Sequence, residues 1–369
     1  MKTVEKLLIA PSKYVQGPGV TKTLGEYAEN YGQKALIIGG NTALKASQTN
    51  ITDSLKEHHV DSEVVTFSGK CTEKEIDDLQ DKFAEVGADF IIGVGGGKVI
   101  DTAKAVAHYK DVPMIIVPTI AATDAPCSAL SVVYTEEGAV DEYLFLKQNP
   151  DVVMVDTDII KQAPVRLFVA GIGDALATYF EARACYQNNA DSVAGKKATR
   201  TALALSELCY EILEEHGENS VTALNNNALT PAVEQVTEAN ILLSGLGFES
   251  TGVAAAHGIH DGLTVLEETK EAYHGEKVAI GTLAQLVLEG ATEELDQVLK
   301  LCYSVGLPTT LKEIGIETVD EQRLLKVGEA SCAEGSMIHN MPFEVTPEMV
   351  KDALLTVNGL GEEVDIYID

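Results

Sequence analysis

Short apolar runs alternating with amphipathic helical patterns constrain the fold of this chain more than any other feature. ALIIGG follows Lys34 and closes on glycine, Val60–Phe67 is a second strand-like run, DFIIGV spans Asp89–Val94, and Val112–Pro118 is a fourth. Between them lie helical patterns reaching about His59, from Cys71 to Val86, and from Val99 to Tyr109. In the second of these, Ile76, Leu79, Phe83 and Val86 recur at three- and four-residue steps, the spacing of one buried helix face. Strands joined by helices require right-handed crossovers and give a parallel sheet covered on both sides. Ser131–Tyr134 and Tyr143–Lys147 read as a strand pair, and VVMVD at Val152–Asp156 closes the sheet region. From Asp158 strand signals nearly vanish. Helical patterns follow at 164–186, 195–216, 230–244, 253–267, 276–288, 292–305 and 347–359. The expected fold is α/β, with an N-terminal parallel-sheet domain over residues 1–160 and an all-helical C-terminal domain over 161–369, divided near 157–163.

Charge narrows the partners. Lysine and arginine total 27 against 57 aspartate and glutamate, a formal net charge of −30, so most of this surface repels a phosphate backbone or an anionic membrane. Neither nucleic acid nor membrane is an expected partner. The same acidity suits a salt-rich milieu or a soluble oligomer. No run approaches the roughly 18 uncharged apolar residues of a spanning helix, and MKTVEKLLIAPSKYVQG lacks the apolar core of a signal peptide, which predicts a cytoplasmic protein. Cys71, Cys127, Cys185, Cys209, Cys302 and Cys332 form no C-x-x-C pair, so they read as reduced packing residues.

Three places carry chemistry. The DFIIGV run leads into Gly95-Gly96-Gly97-Lys98, with Asp101 one turn on. Successive glycines admit an anion to the backbone N–H groups, and the following helix adds its positive end; such a turn also ends strands for structural reasons alone. The spacing is neither Walker A nor G-x-G-x-x-G. Past Pro118 the polar loop from Thr119 to Ser128 leaves the carboxyl end of a strand, where open α/β folds bind ligands. Asp124 there is either a turn residue or the carboxylate that meets a polar substrate. In the helical half, Gly245 to Gly281 holds His257, His260 and His274. His257 and His260 share a helix face, and the small residues before His257 (Gly252 to Ala256) admit a second helix close by. Asp174 interrupts an apolar face near Phe168, Leu176 and Tyr179, where a bare carboxylate is costly to bury. Arg183 offers it an ion pair; a divalent metal shared with His257 and His274 offers the alternative. One carboxylate and two imidazoles suit Zn²⁺ with a fourth position open.

The ordered set GVGGGKVIDTAKA, PTIAATDAPCSALSVVYT, AGIGDALATYFEARAC, SGLGFES, AAAHGIHDGL and YHGEKVAIGTL resembles the zinc-dependent glycerol dehydrogenases of the iron-containing (group III) alcohol dehydrogenase superfamily. The likeness runs from Pro11 to the HNMP at His339, and it implies the dehydroquinate synthase-like fold, with dinucleotide bound by the first domain and metal and substrate by the second. Carried over by position, it implies metal ligands at Asp174, His257 and His274. It implies NAD contacts at Gly97, Lys98, Asp101, Thr119, Ser128, Leu130 and Tyr134, and substrate contacts at Asp124 and Phe248. Thr178 stands where iron-using relatives have a fourth ligand, which favours zinc with an open site.

The implied reaction is oxidation of glycerol, or a related vicinal diol, to dihydroxyacetone. The polyol enters a cleft between the domains, Zn²⁺ lowers the hydroxyl pKa, Asp124 orients the substrate and NAD takes the hydride. His260 is a weaker proton-relay candidate than Asp124. The resemblance also implies a homo-oligomer, an octamer in relatives. A dehydroquinate synthase-like lyase or a dehydrogenase of a phosphorylated polyol is the rival within the superfamily. Either needs basic residues about the metal, and these helices offer few, Arg183 and Lys270. Two departures stand out: Gly40 and Asn41 replace the aspartate that relatives place after the first strand, which bears on NAD against NADP, and Asp261 replaces an asparagine.

Overall fold

The computed structural model describes residues 4–368, with side-chain surroundings for 4–363. The residues fall into two compact units. One gathers Ile9–Pro164 with Asn226–Gly245; the other gathers Val165–Asn225, the chain from Leu246 onward and the short segment before Ile9.

The first unit is built on a six-stranded sheet in the order Tyr14–Gly17, Val152–Asp156, Met114–Pro118, Phe90–Gly95, Lys34–Gly39, Asp61–Thr66, every neighbouring pair parallel. Alternation decides which side chains share a face. Ala35, Ile37, Phe90, Ile92, Val94, Ile115, Val117, Val152 and Met154 pack with Leu44, Ile51 and Leu55 of the helix Asn41–Glu57 in one buried cluster. Each isoleucine or valine so buried contributes about 1.5–3 kcal/mol. On the other face Gly93 meets the helix Gly97–Lys110: a Cβ at 93 would lie 2.6 Å from that of Ala103, so an alanine there would push the helix off the sheet. The Glu73–Val86 helix starts where the Thr72 hydroxyl accepts the Glu75 N–H. It stops at Gly87 in the left-handed region (φ 64), an ordinary C-terminal glycine stop.

Leu130–Tyr134 and Val140–Phe145 form an antiparallel hairpin with a register shift at Val133/Tyr134. Its second strand begins earlier than the expected Tyr143, because Gly138 (φ 92) makes the turn and five of that strand's six residues are exposed, leaving little apolar pattern to read. The strand Tyr14–Gly17 and the helices Leu24–Ala28 and Glu321–Ser331 were absent from the sequence expectation; the first two are too short to show a period. The helix expected over 230–244 is Pro231–Glu238 followed by a π-helical turn at Ala239–Leu243 and the helix Ser244–Thr251.

In the second unit the helices Val165–Gln187 and His274–Glu289 are buried along most of their length. They touch backbone to backbone. A Cβ on Gly275 would lie 1.7 Å from the Ala170 carbonyl oxygen, and one on Gly173 would lie 2.3 Å from the carbonyl oxygen of Gly275. The helix Ala255–Leu263 crosses the second of them at Gly281, where a Cβ would meet the Ala256 carbonyl oxygen at 2.3 Å. The last helix, Pro347–Ile368, runs past the expected end at Gly359. Gly361 in it marks a close approach to the Thr309 carbonyl oxygen, 2.2 Å from a would-be Cβ, rather than a stop. The strand pair Lys6–Leu7 and Lys197–Ala198 is a two-residue addition to this helical unit.

Candidate active site

The crossing of these helices fixes the positions of three side chains. Asp174 follows Gly173, His274 precedes Gly275, and His257 stands in the first turn of the helix that meets Gly281. Asp174, His257 and His274 each bring a ligand atom within 4.8 Å of the others. Asp174 Oδ1 lies 3.1 Å from His274 Nε2 and 3.6 Å from His257 Nε2. Burial opposes ionisation of Asp174, but His274 and His257 outweigh it and hold the carboxyl well below the usual range. Burial likewise opposes a charge on His257, and Glu181 and Asp174 reverse it, raising that imidazole well above its ordinary value.

The outer nitrogens of both rings are occupied. His257 Nδ1 lies 2.6 Å from Glu181 Oε2. His274 Nδ1 lies 2.9 Å from His260 Nε2, and His260 Nδ1 lies 2.9 Å from Asp261 Oδ1. Burial, with His274 adding to it, pushes His260 down to about 3, so it is neutral at ordinary pH: its single ring proton on Nδ1 goes to Asp261, and its Nε2 accepts from His274 Nδ1. The three inner atoms are thus the ones left for an ion.

Two observations test the fit of a divalent metal. Asp174 Oδ2 is fully buried and has no hydrogen-bond partner among the described residues, a deficit of about 1–3 kcal/mol for a buried acceptor. A neighbourhood that favours a proton on a buried imidazole also favours a cation in the proton's place. The residues fit. The sequence alternative for Asp174, a pair with Arg183, is overturned: Arg183 donates to Glu289 and Glu294 at 2.5–2.9 Å. Thr178, one turn after Asp174, is buried, and its methyl faces Gly247, where a Cβ would lie 2.4 Å away.

In the sheet unit the glycine turn opens the Gly97–Lys110 helix with no side chain across its first N–H groups; Gly97 has open space where a Cβ would stand. Lys98 is exposed, its Nζ 5.5 Å from the centre of the Tyr134 ring. Thr119 donates its backbone N–H to the Gly95 carbonyl at 3.0 Å. Asp101 is buried, its Oδ1 3.1 Å from Lys104 Nζ, and burial raises its carboxyl against the pull of Lys104. Lys104, fully buried, also donates to the carbonyls of Ala125 (2.8 Å), Ser128 and Leu130 and to the Ser128 hydroxyl. One ammonium therefore ties Asp101 to the segment bearing Ser128 and Leu130. Asp124 is half-buried, its Oδ2 accepting from the Ser244 hydroxyl at 3.1 Å. Phe248 is half-buried in the helical unit, its carbonyl accepting the Gly252 N–H. Beside Gly40, a Cβ would find only Val99 Cγ2 at 3.6 Å.

Glu181 and Lys104 escape the sequence reading. The signals for them are present: Glu181 lies two helical turns beyond Asp174 on the same face, and Lys104 is the one cation in the apolar stretch TAKAVA.

Residues 11–157 match the family described as iron-containing alcohol dehydrogenase. The glycerol dehydrogenase of Escherichia coli O6:H1 strain CFT073 is 49% identical over 97% of this chain and 98% of its own. A protein of Halobacterium salinarum named glycolaldehyde reductase is 47% identical over 96% and 98%. The crystal structure of glycerol dehydrogenase from Schizosaccharomyces pombe superposes with a TM-score of 0.94 at 36% identity, covering 98% of this chain and 92% of that one.

Proposed function

The chain belongs to the iron-containing alcohol dehydrogenase family, and from that membership we propose that it oxidises glycerol to dihydroxyacetone, with NAD as hydride acceptor and Zn²⁺ held by Asp174, His257 and His274. The observation that carries the metal reading is Asp174 itself: its Oδ1 faces two imidazoles whose outer nitrogens are already engaged, and its buried Oδ2 has no hydrogen-bond partner among the described residues. Zn²⁺, when bound, supplies a Lewis acid that lowers the pKa of the substrate hydroxyl.

The chain's own residues do the rest. Asp124, held by Ser244, orients the polyol through its hydroxyls and takes up a proton; Phe248 lines the substrate pocket. Gly97 offers backbone N–H groups to the pyrophosphate at a helix start, and Lys98, Asp101, Thr119, Ser128, Leu130 and Tyr134 complete the NAD site, the Lys104 tether holding three of them in one arrangement. Holding donor and acceptor in line is worth several kcal/mol of the barrier, about 7–11 in favourable cases.

A phosphorylated polyol or a dehydroquinate-like substrate is less well served. Arg183 is taken by Glu289 and Glu294, and Lys270 by Glu267; Lys277, nearly one turn beyond His274, has its pKa lowered by burial. A homo-oligomer, an octamer by family resemblance, and a cytoplasmic location are part of the same proposal; among the described residues no helix is long and apolar enough to cross a membrane.

The test follows reduced nicotinamide by absorbance with glycerol, propane-1,2-diol, butane-2,3-diol and ethanol, before and after chelation and zinc return. Both NAD and NADP are supplied because Gly40 leaves no carboxylate against a 2′-phosphate. Glycolaldehyde with the reduced cofactor is the reverse assay, in view of the name of the Halobacterium relative. Glycerol oxidation that chelation abolishes and zinc restores is the expected result; activity indifferent to chelation overturns the metal assignment.

A further inference from the structure

His257 offers the ligand cluster one ring nitrogen and gives the other to Glu181. Glu181 is fully buried. Its Oε2 lies 2.6 Å from His257 Nδ1, and its Oε1 accepts the backbone N–H groups of Ala254 at 2.8 Å and His257 at 2.9 Å. We propose that Glu181 is a positioning residue for the metal: by accepting the Nδ1 proton it forces the Nε2 lone pair of His257 toward Asp174 and His274. This rests on the metal reading of the preceding section and adds to it the residue that makes His257 a competent ligand, since an imidazole binds a metal only through an unprotonated nitrogen.

Capping is the competing role. The helix Ala255–Leu263 has no cap from its own first residue, and its early N–H groups go to Glu181 and, for Ala256, to Gln285 Oε1 at 3.0 Å. A cap needs only an acceptor for the backbone. Holding the tautomer needs an acceptor facing Nδ1 as well, and glutamine at 181 separates the two. With its oxygen on the Ala254 and His257 N–H groups, the amide NH₂ faces Nδ1 and donates, so the ring proton moves to Nε2 and the lone pair leaves the cluster. Turned the other way, the NH₂ opposes two backbone donors.

The experiment compares wild type, Glu181→Gln and Gln285→Ala by zinc affinity, from competition with a chromophoric chelator, and by the melting temperature of the metal-stripped protein. Glu181→Gln is expected to bind zinc about 10–100-fold more weakly, while its stripped form melts no lower than stripped Gln285→Ala. Gln285→Ala, which loses the Ala256 cap contact and the amide's hydrogen bond to Glu289 Oε1 but leaves the Glu181–His257 pair in place, is expected to melt lower than wild type and to keep wild-type zinc affinity. Wild-type affinity in Glu181→Gln overturns the proposal, as does a loss of affinity in both variants that tracks their melting temperatures. A wild-type protein that binds no zinc overturns the metal reading, and this inference with it.

Discussion

Asp174 brings two oxygens into a buried corner: Oδ1 meets two imidazoles, and Oδ2 meets no donor among the described residues. A carboxylate so placed stabilises the fold only while positive charge sits beside it, from protons on the histidines or from a metal. His274→Ala removes one of the three proposed ligands, so bound zinc and glycerol turnover should both fall to about 1% or less of wild type, read by metal analysis and initial rate; full metal content with full rate would remove His274 from the site. The pH dependence has a definite sign. In stripped protein His257 has a raised pKa, so the stability it lends is complete below its unfolded value of about 6.5 and is lost as pH rises through the higher folded value. Zinc replaces that proton. Melting temperature should therefore fall as pH rises above about 6.5 for stripped protein and hold for zinc-loaded protein, and parallel curves would show that His257 is not where the metal competes. The trio is legible in the sequence because a carboxylate in an apolar helix and paired histidines are rare enough to demand partners. Glu181 is not, because a glutamate in YFEARAC looks like any helix surface residue until its helix is known to be buried on every side.

Gly173 and Gly275 allow two helices to touch main chain to main chain, and each stands next to a residue of the candidate metal cluster. The distance between Asp174 and His274 is thus set by the absence of two methyl groups. Gly275→Ala would place Cβ 1.7 Å from the Ala170 oxygen, which only separation of the helices relieves. Overpacking of this kind costs about 1–3 kcal/mol or more, and the same separation draws His274 from Asp174. Denaturant unfolding should show the stability loss and metal titration a weaker site. Gly290→Ala tests a different cost: it has open space around its Cβ but a left-handed backbone (φ 66), so it should lose stability, about 1 kcal/mol, and keep zinc affinity. The helices Thr292–Val305 and Val165–Gln187 are legible from period and length, as are the central strands, whose apolar runs have no other solution. The π-helical turn at Ala239–Leu243 and the hairpin strand Val140–Phe145 are not. The first differs from an α-helix by one residue of hydrogen-bond register, and the second is held by pairing rather than by a buried face.

At the scale of the whole molecule the dominant fact is charge. If every one of the 27 lysines and arginines paired with an acid, 57 − 27 = 30 carboxylates would still stand without a cation. Surface pairs such as Lys74–Asp78, Lys300–Asp296 and Lys82–Glu85 are present, but exposed pairs contribute roughly 0–1 kcal/mol each. Self-repulsion among the excess acids acts over the whole compact state and is relaxed on unfolding. Salt weakens both effects, shortening the screening length from about 10 Å at 0.1 M to about 3 Å at 1 M. The pairs named sit at 2.7–3.2 Å, well inside the longer length and comparable to the shorter, whereas the excess carboxylates repel one another over longer distances and lose most of that repulsion. Added sodium chloride should therefore raise the melting temperature between about 0.1 and 1 M, with most of the rise at the low end, where the screening length changes fastest. Sodium sulfate at matched ionic strength separates screening from the exclusion effect that strengthens apolar burial: equal curves in the low range mean screening. A melting temperature that falls with sodium chloride would mean that the ion pairs outweigh the acidic excess, and the composition would then say nothing about salt.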